Sequence, residues 1–134
     1  PMLIANKSKA EAHLRAEELL ASVGLGDRLH SRPNQLSGGQ NQRVAVARAL
    51  ANDPSIVIGD ELTGNLDTKS SQLIYNLLRE LNRKINQTFI LVTHDMTLAE
   101  KTDGILRIVD GKIVCEMKRV GEDFVTTDYC ERAE

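Results

Sequence analysis

The sequence predicts an α/β fold built on a parallel strand pair, and three observations carry that reading. Ile56–Ile58 and Phe89–Val92 are uninterrupted apolar runs of strand length, the pattern of strands covered on both faces. Between them, Leu73, Ile74, Leu77, Leu78 and Leu81 recur at helical spacing within Ser70–Lys84. Strand, helix, strand in that order is one right-handed βαβ crossover. Polar groups then collect at the strands' carboxyl ends, Asp60-Glu61 after the first and His94-Asp95 after the second, which is where such sheets bind ligands.

The remaining elements follow in chain order. Ser8 with Glu11 three residues on is a capping box and opens a helix over Ser8–Val23. Leu19, Leu20 and Val23 give it an apolar face, and Gly24 ends it. Gly26–Asn34 reads as a loop punctuated by Pro33. A second helix is expected over Gln40–Ala51, stopping before Asn52-Asp53-Pro54. Thr63–Asp67 is a polar turn before the third helix. Thr97–Lys101 suits a short helix. Ile105–Val109 and Lys112–Glu116 flank Asp110-Gly111, a hairpin signal. The tail beyond Lys118 is polar and is expected to be mobile.

Composition narrows the chemistry. The 134 residues suffice for one domain with a core. Aromatic residues make up 3% and Trp is absent, which argues against a base-stacking surface for single-stranded nucleic acid. A formal net charge of −2 supplies no basic field for DNA or anionic lipid. Cys115 and Cys130 lack CxxC spacing and read as free thiols of a reducing compartment rather than a metal site. No apolar run exceeds four residues, the length of Phe89–Val92, far short of a membrane span, and no signal-peptide pattern is present. Pro1 rather than Met stands first, which suggests an excised piece.

Three constellations carry chemistry. Leu36-Ser37-Gly38-Gly39-Gln40 directly precedes a helix. Paired glycines allow close backbone approach, Ser37 adds a hydroxyl, and the helix offers free N–H groups at the positive end of its dipole. The set suits a phosphate-like anion, and equally a plain Ser N-cap on a flexible turn. Ile56–Ile58, with Gly59, delivers Asp60 and Glu61 to a strand end. There Asp60 could hold hydrated Mg²⁺ and Glu61 could orient or deprotonate water; the alternative is a pair of solvated loop acids. His94, after Thr93, could hydrogen-bond a phosphate, or be an ordinary polar His.

Taken together, these residues resemble the ATP-binding domain of ABC transporters. Leu36–Gln40 matches the ABC signature, and Asp60-Glu61 stands at the spacing of that family's Walker B motif. Gly64-Asn65-Leu66-Asp67 looks like its D-loop and His94 like its switch histidine, all in the family's order. Arg32–Gln35, Gln42–Leu50 and Thr63–Asp67 resemble the lipoprotein-release and macrolide-export type. The resemblance spans roughly Pro1–Glu116.

It implies a P-loop NTPase fold. Residues 1–118 would be a partial ABC ATPase domain, with 1–53 forming a helical subdomain and signature helix. Residues 54–118 would be the C-terminal half of the core ending in a hairpin, and 119–134 a tail. It implies that Ser37, Gly38, Gly39 and Gln40 meet the γ-phosphate of ATP on an opposing subunit. Asp60 would support Mg²⁺ through water, Glu61 act as general base and Asp67 lie at the dimer interface. His94 would contact the γ-phosphate and the attacking water. The implied partners are a transmembrane permease and a second ABC ATPase domain, not nucleic acid, at the cytoplasmic face of the cell membrane.

The sequence departs from the family at Leu62, where Pro is usual, and at Gly59, where Ala is usual. Neither change removes a catalytic group, but both bear on the aim of Glu61. No GxxxxGK[ST] stretch occurs in the 134 residues, so the chain alone is expected not to hydrolyse ATP. Its strand at Phe89–Val92 is expected to present an open edge through which the chain self-associates. DNA-maintenance ABC proteins, a rival within the family, separate their halves by long coiled coils, and no sustained heptads occur here. An inert interaction fragment is the rival outside it.

Overall fold

Helix α1 (Lys9–Ser22) begins as its cap dictates. Ser8 Oγ accepts the Glu11 N–H at 3.2 Å, and the Glu11 carboxylate accepts the Ser8 N–H at 2.9 Å. Gly24, at φ 74°, turns the chain out of the helix. The expected loop then contains two short 3-10 turns, Gly26–Arg28 and Pro33–Gln35. Helix α2 (Gly38–Ala49) starts two residues earlier than the sequence suggests, because Ser37 caps it and both glycines adopt helical geometry.

Strand β1 (Ile56–Asp60) leads into α3 (Thr68–Ile85) and β2 (Thr88–Val92). β1 and β2 pair in parallel with Ile56 opposite Thr88 and Asp60 opposite Val92, as the βαβ order requires. Among the described residues these two strands form a sheet by themselves. The short helix α4 (Met96–Ala99) precedes a meander of β3 (Gly104–Val109), β4 (Lys112–Val120) and β5 (Asp123–Thr126). Asp110 and Gly111 both take positive φ, 47° and 75°, the geometry a two-residue hairpin turn needs.

The computed structural model describes residues 1–64 and 66–126. The chain divides into two units, residues 1–92 and 93–134. In the first, Leu19, Val23 and Leu25 pack with Val46, Ala47 and Leu50, with Val57 of β1, and with Ile74, Leu77, Leu78 and Leu81 of α3. Burying that set is the dominant favourable term, at about 25 cal/mol per Å² of apolar surface. In the second, Leu98 and Cys115 are buried, and Arg119 ties the pieces together. Its guanidinium donates to the carbonyls of Glu100, Thr102 and Glu122 and lies 4.5 Å from the centre of the Phe124 ring.

Several expectations are corrected. β1 and β2 are covered on one face only: Ile56, Ile58, Ile90 and Val92 are exposed. Leu73 is exposed and Tyr75 takes a place in the buried stripe of α3, because the stripe centres on 74, 77, 78 and 81 and leaves 73 at its margin. The tail does not begin after Lys118. β4 continues to Val120 and, after a turn at Gly121 and Glu122, pairs with β5. Cys115 is buried and disulfide-bonded, not a free thiol. Local spacing misses this because a disulfide needs proximity in space, not in sequence. Cys130 lies outside the described residues.

Candidate functional site

The signature turn is built by a second capping box. Ser37 has extended backbone, and its Oγ accepts the Gln40 N–H at 3.3 Å. Gln40 Oε1 accepts the Ser37 N–H at 2.9 Å. Gly38 and Gly39 are therefore the first two helical residues, whose N–H groups have no acceptor within the helix. The Ser37 hydroxyl accepts in this arrangement and keeps its own proton to give. The segment is thus a capped helix start, and the cap leaves donors at the tip.

The loop before it is pinned by a residue the sequence reading passed over. Asn41 Nδ2 donates to the carbonyls of Pro33 and Leu36, each at 3.2 Å. Arg43 Nη1 donates to the Val23 carbonyl at 3.3 Å, joining α2 to the end of α1. No local pattern announces either bond, since the Asn41 acceptors lie back along a loop and the Arg43 acceptor lies on another helix.

Two features place the signature beside the Thr63–Asp67 turn. A Cβ on Gly38 would sit 3.3 Å from Leu66 Cδ2, and one on Gly39 would sit 3.7 Å from Ser70 Cβ and Oγ. Ser70 in turn is held by Asp67, the N-cap of α3. One carboxylate oxygen accepts the Ser70 N–H at 2.9 Å and the other accepts the Ser70 hydroxyl at 2.7 Å. The Ser70 hydroxyl, and secondly its N–H, hold the Asp67 carboxyl below the ordinary aspartate range.

Asp60 and Glu61 stand exposed at the end of β1. Glu61 has φ 47°, in the left-handed region. Its N–H donates to the Val92 carbonyl at 2.9 Å, and its carbonyl accepts the Gly64 N–H at 3.1 Å. Non-glycine residues held there cost of order 1–3 kcal/mol and cluster at functional sites.

His94 belongs to the second unit, where it is exposed just before α4. Its neighbour Asp95 caps α4, accepting the Thr97 N–H at 2.9 Å. The structure thus gathers Ser37, Gly38, Gly39, Gln40 and Asp67 in one neighbourhood of the first unit, and holds Asp60 and Glu61 at the sheet end of the same unit. Among the described residues no group of three or more His, Cys, Asp or Glu could enclose a metal.

Residues 2–64 match the ABC transporter family model. An uncharacterized ABC transporter ATP-binding protein of Thermotoga maritima is 54% identical over 113 residues, covering 84% of this chain and 48% of the relative. Among solved structures, a dimeric ATP-binding cassette in a post-hydrolysis state, bound to ADP and Pi, is 43% identical with a TM-score of 0.69. The match covers 86% of this chain and 50% of that one. The ADP conformation of another ABC transporter cassette is 26% identical with a TM-score of 0.78, over 87% of this chain and 45% of that one. The chain therefore spans about half the length of the relatives it matches.

Proposed function

Since this chain belongs to the ATP-binding family of ABC transporters, we propose that it supplies the signature and water-activating parts of an ATPase that powers a membrane permease. The observation that carries this reading is the start of α2, where a Ser37 cap leaves the Gly38 and Gly39 N–H groups at the tip of a helix. Such a tip favours an anion through both its free donors and its dipole. Facing a second ATPase domain, it would meet the γ-phosphate of ATP held by that partner. Phosphoryl transfer needs positioning and charge stabilisation more than covalent help from the protein.

Glu61 is the proposed general base. Its carboxylate stands at a strand end, in a turn tied to β2 through the Val92 carbonyl. Asp60, one residue before it, is the proposed support for Mg²⁺. A lone carboxylate fits that ion, which keeps several waters and shares phosphate oxygens instead of filling an all-protein cage; when bound it would neutralise phosphate charge. His94 is proposed to hydrogen-bond the γ-phosphate, and Asp67, through its α3 cap, to hold the signature's neighbour in register at the dimer interface. With no GxxxxGK[ST] stretch in the 134 residues, the 134-residue chain by itself is proposed to be inactive. The site of action would be the cytoplasmic face of the membrane, reached through the permease. Among the described residues no helix is long and apolar enough to cross a membrane.

The test is Glu61→Gln in the full-length protein. It should keep ATP binding and lose turnover by about a hundredfold or more, the usual order for losing a positioned base, and it should trap a closed dimer. Turnover near the unmodified rate would remove Glu61 from the role of base.

A further inference from the structure

The end of β1 is shaped by a pair of residues that touch each other across Glu61. Gly59 is buried within the strand. A Cβ built on it would lie 2.5 Å from Leu62 Cδ1, 2.7 Å from Cγ and 3.1 Å from Cδ2. The leucine side chain thus fills the space that any larger residue at 59 would require, and from there it packs against the apolar core of the first unit. Glu61 lies between them in the left-handed region, at φ 47°.

Three restraints converge on that one residue. The Val92 carbonyl holds its N–H, the Gly64 N–H holds its carbonyl, and Leu62 folds the following backbone down onto Gly59. A glutamate does not occupy left-handed backbone unless its surroundings hold it there. The two hydrogen bonds fix where the turn sits. The Leu62–Gly59 contact fixes how the chain leaves it, and hence the direction of the Glu61 side chain.

We propose that Leu62 is a positioning residue for Glu61, that it acts by seating its side chain in the space left by Gly59, and that the two positions work as one unit. The inference rests on the reading of Glu61 as general base. A base displaced by about 1 Å can lose up to a hundredfold in rate, so the pair should act on turnover and hardly on ATP binding.

The test is a double-mutant cycle in the full-length protein, reading kcat and the KM for ATP. Gly59→Ala, with Leu62 in place, forces the leucine out and should lower kcat by about tenfold or more with KM changed less than about twofold. Leu62→Ala should lower kcat by several-fold. In the Leu62→Ala background the space is open, so adding Gly59→Ala should cost nothing further, a non-additivity of the kind that touching residues show. Equal loss from Gly59→Ala in both backgrounds would overturn the proposal, because a generally destabilising change does not depend on Leu62. Should Gly59→Ala fail to fold, Leu62→Ala alone decides: an unchanged kcat overturns the proposal. Glu61→Gln run alongside separates the two readings. If it stays active, Glu61 is not the base and both fall; if it is inactive while the cycle is additive, only the pairing falls.

Discussion

Asp67 shows how one side chain can serve the local fold and lie in the proposed site. Its two carboxylate oxygens are both engaged by Ser70, and Ser70 lies against Gly39 of the signature turn. The Ser70 hydroxyl and then its N–H favour the charged form, so the folded-state pKa lies below the unfolded one. The contribution to stability is therefore fully present above the ordinary aspartate range. It disappears only as pH falls through the depressed folded value. The Ser70 amide resonance should accordingly hold its position through the range in which free aspartates titrate and move only at more acidic pH. Asp67→Asn, which can still cap, should abolish that movement. A Ser70 shift centred on the ordinary aspartate value would contradict the paired geometry. Capping was legible in part at this scale: the Ser8–Glu11 box follows from three-residue spacing, while Ser37 read as a plain N-cap and its reciprocal bond with Gln40 did not. The left-handed Glu61 was not, because no local pattern marks a glutamate for positive φ, and neither were the bonds of Asn41 and Arg43, whose acceptors lie outside their own helix.

At the scale of elements, the parallel pairing of β1 and β2 followed from the βαβ order, and the β3–β4 hairpin from Asp110-Gly111. The extent of β4 and the presence of β5 did not, since Lys118–Thr126 is polar enough to read as tail and its pairing is set by cross-strand partners. What aligns the start of the parallel pair was also invisible. Gln87, 7% exposed, donates through Nε2 to the carbonyls of Ser55 and Thr88, just before β1 and at the head of β2. Its own carbonyl accepts from Asn82 Nδ2 at 2.9 Å. A glutamine between a helix end and a strand reads as a solvated linker residue; only the fold turns it into a clamp. Gln87→Leu keeps the volume roughly but strips the donor from the carbonyls of Ser55 and Thr88, both exposed residues. It should destabilise the full-length protein by about 0.5–1.5 kcal/mol, the net worth of an ordinary hydrogen bond. Chemical denaturation followed by circular dichroism measures this, and an unchanged midpoint would mean that both carbonyls reach water.

For the whole molecule, the sequence coded two strands for burial on both faces, and in the described residues only one face is covered. Ile56, Ile58, Ile90 and Val92 are 51%, 71%, 48% and 54% exposed, and among the described residues each strand has a partner along one edge only. Contiguous apolar surface beside an open strand edge is what associating proteins present to each other. Neither strand contains Pro or Lys to block pairing, and the single acid, Asp60, stands at the far end of β1. The 134-residue chain by itself should therefore associate, with a sedimentation coefficient that rises with concentration across the micromolar range. Ile58→Lys places a charge on the open face without touching the packed one, since Val57 rather than Ile58 points into the core. It should shift the chain toward monomer while leaving its circular dichroism unchanged. Edge pairing alone would survive that substitution and yield instead to Leu91→Pro, which removes a backbone donor on the side of β2 turned away from β1, since the Val92 carbonyl faces β1 and the groups alternate along the strand. The two variants thus distinguish association through the face from association through the edge. A chain that sediments as a monomer at every concentration would show that its own residues cover both.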